Sequence, residues 1–152
     1  MPPVVGQPAP DFSLPSTAGP VISLSGFKGS ANVLIAFFPS AFAGVCTAEL
    51  CSFSENLDRF SGSNTQVLPI SGDHVASLKQ FKEMEKKKVN PLSDIKRDVA
   101  RAYGVLDEEK FTPRRSYFLV DKEGILRWSH VEPHNGLKRG DDEIMAEIAK
   151  LG

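Results

Sequence analysis

Residues 33–38 read VLIAFF, an unbroken apolar run that Pro39 stops. A strand with one wet face alternates apolar and polar residues, whereas a strand covered on both faces is apolar throughout. The run therefore predicts a central strand in a sheet with helices on its faces. A helical stripe follows, with Leu50, Phe53, Leu57 and Phe60 at spacings of 3, 4 and 3 and Gly62 at its end. A short strand at 67–70 comes next, and Asp73 is placed to cap a helix carrying Val75, Leu78, Phe81 and Met84, which completes a β-α-β unit. After Asn90-Pro91, the segment SDIKRDVARAYG begins with a capping Ser93 or Asp94 and stops at Gly104, as a short helix does. Segments 116–120 and 125–128 flank Asp121-Lys122-Glu123-Gly124, the composition of an antiparallel hairpin. Asp141 is placed to cap a last helix bearing Ile144, Ile148 and Leu151.

The first thirty residues are rich in Pro, Gly and Ser, with apolar alternations at 12–14 and 21–24 around Ala18-Gly19-Pro20, and read as an N-terminal hairpin. A hairpin followed by β-α-β-α-α-β-β-α mixes a parallel crossover with antiparallel pairing in one α/β sheet, the element order of a thioredoxin-like fold. Its 152 residues make one domain, 1–152, large enough to bury a core without metals or disulfides. With 18 Lys and Arg against 19 Asp and Glu, the chain has no basic footprint for nucleic acid. The charged stretch 82–88 interleaves Glu83 and Glu85 and reads as a solvated helix end. No apolar run approaches the roughly 20 residues of a membrane span. MPPVVGQPAP shows neither a basic n-region nor a long apolar h-region, so the expected location is the cytoplasm and the expected partners are small molecules or proteins.

Two cysteines, Cys46 and Cys51, lie five apart. In a reducing compartment such a pair is more often catalytic or metal-binding than structural. The predicted strand ends at Pro39, a small-residue loop follows, and Cys46 falls in the first turn of the next helix. There the unpaired N–H groups and the positive dipole end favour an anion, which draws a thiol from about 8.5 toward the roughly 3.5–7.5 of reactive cysteines. The same amides suit an oxygen that gains negative charge under nucleophilic attack. The alternative is that both cysteines are small core residues. At about 100° per residue Cys46 falls within the apolar stripe, while Cys51 lies roughly 140° away beside Thr47, Ser54 and Asp58, off the core face. His130 and His134 have a zinc-like H-x3-H spacing, but Pro133 and Asn135-Gly136 make that segment a loop, and with His74 the only other histidine no metal site is expected. Trp128 and Tyr117 read as sheet packing.

Around Cys46 the chain resembles the active site of a peroxiredoxin, whose signature is Pro, three residues, Thr or Ser, two residues, then the peroxidatic Cys. Pro39 and Cys46 match it, and GQPAPDFSL, NVLIAFFP, PLSD, AYGV and RRSYFLVDKEGILR extend the similarity along most of the chain in the family's order. The resemblance implies a thiol peroxidase acting on hydrogen peroxide or organic hydroperoxides, without cofactor or metal. Cys46 becomes a sulfenic acid, and a thioredoxin-like donor restores the thiol. It also implies an arginine reaching the peroxidatic sulfur; counting back from Phe118, that is Arg115, with Arg114 one step away and a surface ion pair as the alternative role. The amides of Val45 and Cys46 would stabilise the leaving oxygen, and Glu49 is a supporting candidate. The chain departs from the family at Ala43, where Thr or Ser supplies a hydroxyl; a hydrogen bond to a charged group is worth about 1.5–3 kcal/mol, and Ser40 or a water is a possible substitute.

Cys51 matches the subgroup resembling bacterioferritin comigratory protein, in which the resolving cysteine lies on the same helix. An i to i+5 pair on an intact helix has Cα atoms roughly 8–9 Å apart, beyond the roughly 7 Å a disulfide tolerates, so the helix start must unwind. TAEL and AYGV resemble instead the one-cysteine AhpE-like group, where an external thiol resolves. Two rival readings are a thiol-disulfide oxidoreductase, which usually carries the C-x-x-C this chain lacks, and a redox sensor or scaffold, for which Ala43 is the support. Proteins of this kind include monomers and homodimers.

Overall fold

A computed structural model describes residues 3–40, 50, 53–85, 89–133 and 140–151. The apolar run becomes β3 (Asn32–Phe37), the middle strand of a five-stranded sheet that also contains β4 (Thr65–Ser71), β5 (Leu92–Ser93), β8 (Ser116–Val120) and β9 (Leu126–Val131). The order is β5-β4-β3-β8-β9; β4 runs parallel to β3 and to β5, whereas β8 runs antiparallel to β3 and to β9. This is the mixed sheet of a thioredoxin-like fold. A separate hairpin of β1 (Ser13–Pro15) and β2 (Val21–Ser23) forms the N-terminal element, and a short 3-10 helix (Leu24–Phe27) follows it. The two-residue strands β5, β6 (Leu106–Asp107) and β7 (Thr112–Pro113) are too short to carry a period, which is why the sequence pattern does not announce them.

The reason the run 33–38 is apolar throughout is visible in its neighbours. Val33, Ile35 and Phe37 join one buried cluster with Phe12, Leu14, Val99, Tyr103 and Phe118; Leu34, Ala36 and Phe38 join the other with Leu50, Phe53, Phe60, Phe81 and Ile148. Successive residues thus enter opposite layers. The second layer is supplied by Leu50, which is helical, by 53–55, and by α1 (Leu57–Gly62), α2 (Val75–Glu85) and α4 (Asp141–Ala149). Asn56, at φ −102° and ψ 14°, interrupts the stripe between 55 and 57 without moving Leu50, Phe53 or Phe60 off the core. Ser54, expected off the core face, is buried, because Val89 lies over it and turns its N–H toward the Ser54 hydroxyl.

Three further expectations need correction. Met84 is 63% exposed; the last turn of α2 is tied down instead by Lys82, whose ammonium donates to the Asn90 side-chain carbonyl. Asp141 is the first helical residue of α4, and its capping position falls to Gly140. The helix after Asn90-Pro91 is α3 (Asp98–Ala102), with Ser93 in β5. Asp94 does cap α3, but from farther back: its carboxylate accepts the N–H groups of Val99 and Ala100 at 3.3 and 2.9 Å. Gly104, at φ 71°, closes α3 as expected: its N–H donates to Arg101 C=O and the Val105 N–H to Ala100 C=O, the paired bonds of a left-handed C-terminal cap that glycine adopts without strain.

Candidate active site

Strand register decides what meets at the end of the central strand. Phe37 pairs with Ser116, so the chain leaving β3 through Phe38 and Pro39 is level with the chain entering β8 through Arg114 and Arg115. Phe38 donates its N–H to Ile70 C=O, which holds this exit beside the end of β4. Pro39 and Ser40 are half-buried there. Ligand sites of open α/β sheets lie outside the carboxyl ends of their strands, and this is such an end.

Arg115 is 1% exposed, the largest fully buried side chain among the described residues, while Arg114 is exposed. Of the two arginines, Arg115 is thus the buried one and Arg114 the exposed one. The backbone around it is pinned on each side: the Arg114 N–H donates to Val105 C=O at 2.7 Å, the Ser116 hydroxyl to Arg114 C=O at 2.9 Å, and the Glu132 N–H to Arg115 C=O at 2.9 Å. A guanidinium carries its charge at every accessible pH, and in a poorly solvated site that charge strongly favours a nearby anion. It also presents five donors in a planar fork, suited to orienting a polar substrate.

Five of the expected site residues, Ala43, Val45, Cys46, Glu49 and Cys51, lie outside the described residues. Those on either side are placed as the pattern requires: Pro39 closes β3, and Leu50 and Phe53 are buried against Phe38 in the second layer. Of the histidines, His134 lies outside the described residues, and His130 points its Nε2 at the Glu132 carboxylate, 2.9 Å away. Among the described residues no group of three His, Cys, Asp or Glu side chains is arranged to hold a metal ion. Nor is any helix among them long and apolar enough to cross a membrane. Tyr117 and Trp128 stack at 6.3 Å on the sheet face, in the packing role expected of them.

Sequence reasoning passed over Glu132, an acidic residue that is 3% exposed at the end of β9. The signal was present in the hairpin: once 116–120 pairs antiparallel with the strand after Gly124, position 132 falls opposite 115. Missing it came from ending that strand at Trp128, three residues short of its observed limit at Val131.

The mixed sheet is that of the thioredoxin-like class of proteins, and a buried arginine stands beside the carboxyl end of its central strand. The chain belongs to the AhpC/TSA family, the peroxiredoxins, whose pattern matches residues 5–129. It is similar to alkyl hydroperoxide reductase E of Mycobacterium tuberculosis (strain ATCC 25618 / H37Rv), at 34% identity over 84% of this chain and 85% of that one. Thioredoxin peroxidase of Fasciola hepatica is 38% identical over 80% of this chain and 67% of its own length. Among solved structures, reduced 2-Cys peroxiredoxin of Plasmodium vivax superposes with a TM-score of 0.90 at 27% identity, covering 99% of this chain and 82% of that one. The chain is an enzyme of the thiol peroxidase class.

Proposed function

We propose that this chain reduces hydrogen peroxide and organic hydroperoxides through Cys46, with Cys51 as the resolving thiol and a thioredoxin-like protein as reductant. The Cys46 thiolate attacks one oxygen of the peroxide; a sulfur–oxygen bond forms, the oxygen–oxygen bond breaks, and the departing oxygen takes a proton to leave as water or an alcohol. The sulfenic acid that remains is attacked by the Cys51 thiolate; the sulfur–sulfur bond forms, the sulfur–oxygen bond breaks and the departing hydroxide takes a proton to leave as water, after which two thiols of the reductant return both cysteines to the reduced state and are themselves oxidised to a disulfide. Arg115 stabilises the thiolate and the charge that grows on the departing oxygen, joined by the amides of Val45 and Cys46. The observation that carries this reading is the burial of Arg115 beside the exit of β3, where Pro39 stands seven residues before Cys46 in sequence.

The same-helix resolving role of Cys51 is supported by its spacing of five from Cys46. A second reading, in which an outside thiol resolves Cys46, is favoured by the similarity to alkyl hydroperoxide reductase E. Peroxide consumption with thioredoxin and thioredoxin reductase, measured on wild type, Cys46→Ser and Cys51→Ser, separates them. Turnover is expected to vanish in Cys46→Ser. Turnover that persists in Cys46→Ser and vanishes in Cys51→Ser reverses the assignment, and unimpaired turnover in Cys51→Ser assigns resolution to an outside thiol.

A further inference from the structure

The buried acid opposite Arg115 is the feature that the reaction described above leaves unused. Ser116 pairs with Val131, and the bond from the Glu132 N–H to Arg115 C=O carries the β8/β9 ladder one residue further, so Arg115 and Glu132 stand directly across from each other. Residues so placed have Cβ atoms about 4.5–5.5 Å apart. Arg115 is 1% exposed and Glu132 3%. Two ionised groups buried at one step of a ladder are tolerated when opposite charge and hydrogen bonds compensate each other's lost hydration, and no buried side-chain nitrogen or oxygen among the described residues lacks a hydrogen-bond partner.

The Glu132 carboxylate is held from its own strand as well. His130, two residues back and opposite Tyr117, brings Nε2 to 2.9 Å from Glu132 Oε1. The His130 ring is nearly parallel to Trp128, at 10°, with centroids 6.4 Å apart. In the tautomer that carries its proton on Nε2, His130 donates to this carboxylate oxygen. A stacked ring thus fixes a carboxylate whose residue stands across the ladder from Arg115.

We propose that Glu132 is a positioning residue for peroxide reduction: clamped by His130, it fixes the orientation of the Arg115 guanidinium and tempers its charge. This rests on the reading of Cys46 and Arg115 given above. Tempering has a direction. The Glu132 charge offsets part of the field that Arg115 exerts on the Cys46 sulfur, so its removal leaves a stronger field and a less well-aimed fork. A merely structural Glu132 would change neither property in the folded protein.

The test is the rate of Cys46 oxidation by hydrogen peroxide across a pH series, in single turnover, for wild type, Glu132→Gln, Glu132→Asp, His130→Gln, His130→Ala and Arg115→Ala. For Glu132→Gln, the plateau rate is expected to fall about tenfold or more from misorientation while the apparent pKa of the Cys46 thiol moves down. Glu132→Asp should recover part of the rate. His130→Gln, which keeps a donor for the carboxylate, should stay near wild type, and His130→Ala should move toward Glu132→Gln. Plateau and thiol pKa unchanged in a folded Glu132→Gln protein, with Arg115→Ala slowed, overturn the proposal while leaving the role of Arg115 intact. An Arg115→Ala protein as fast as wild type overturns both. If Glu132→Gln does not fold, the two His130 variants decide, and equal rates for them overturn the clamp and the proposal with it.

Discussion

Position 43 carries Ala where the peroxiredoxin signature carries Thr or Ser, and the missing hydroxyl has a calculable worth. A hydrogen bond to a charged group contributes about 1.5–3 kcal/mol, and each 1.36 kcal/mol of barrier is about a decade in rate. If the bond strengthens in the transition state, Ala43→Thr should accelerate Cys46 oxidation about tenfold, measured in single turnover. A rate no faster than wild type in a folded variant shows that another group already fills that role. Tyr103 poses a simpler question of the same kind. Its ring packs against Phe37 and Phe118, with centroids 5.5 and 4.9 Å away, and its hydroxyl donates to Pro10 C=O at 2.7 Å. Burial, reinforced by the charge of Asp11, pushes the phenol's pKa up, so the group is a neutral donor throughout the working range. Tyr103→Phe keeps the packing and deletes the donor, and is expected to lower unfolding free energy by about 1 kcal/mol in a urea titration, without change in the oxidation rate of Cys46.

At the scale of elements, two carboxylates give the acid range opposite slopes. Burial raises the pKa of Asp94 against the lowering effect of the Ala100 and Val99 N–H groups it caps, with Asp98 adding to the rise and Arg97 opposing it. A folded pKa above the unfolded value means stability fully present below the unfolded value of about 3.9 and lost as pH rises through the folded one. Asp121 is the reverse. Its partial burial raises the pKa, but the Arg127 side chain at 2.6 Å, the N–H groups of Ile125 and Glu123, and the Arg127 charge outweigh that and lower it. Its contribution is present above about pH 3.9 and is lost as pH falls through the folded pKa. Denaturant titrations at a series of pH values should therefore show Asp121→Asn with a shallower loss of stability below about pH 4 than wild type. Asp94→Asn should instead remove the part of the gain seen as pH falls from neutral toward 4. Identical pH profiles for both variants and wild type would mean that neither group is perturbed by folding. These two residues also show how far the pattern could be read. The Asp121 turn was legible because a hairpin loop has local chemistry, with Gly124 at φ 86° closing it. The cap of α3 was legible as Asp94 but not as a bond reaching five and six residues ahead, because Arg97, at φ 62°, turns the chain through the left-handed region before the helix begins. Cys46 and Pro39 stood out by composition and spacing, and Glu132 did not, since a cross-strand partner is set by register and a misplaced strand end conceals it.

For the molecule as a whole, the proposed resolution by Cys51 would tie the redox state of the cysteines to the core. Leu50 lies between Cys46 and Cys51 in sequence, is fully buried, and joins Phe38, Phe53 and Phe60 in the second layer. A bond that needs the start of the helix unwound through position 51 must draw Leu50 out of that layer, because roughly 8–9 Å between Cα atoms has to close to under about 7 Å. In the reduced protein Leu50→Ala is then a core truncation worth about 2–5 kcal/mol. In the disulfide form the leucine has already left, and the same substitution should weaken stability by less than half as much. Linkage requires the reciprocal effect: a truncation that destabilises the reduced form more than the oxidised one favours the disulfide, and about 1.4 kcal/mol of difference shifts a two-electron potential by about 30 mV. The reduction potential of Leu50→Ala should therefore lie tens of millivolts below that of wild type in a thiol-disulfide redox titration, and amide exchange at Leu50 and Phe53 should accelerate on oxidation of wild type. A disulfide between Cys46 and Cys51, proved by mass spectrometry, that forms with no change in potential on truncating Leu50 and no change in exchange at those amides would show that the helix yields upstream of position 50 alone. Failure to form that disulfide at all, with a sulfenic acid persisting on Cys46, would place resolution with an outside thiol and leave the core indifferent to the redox state.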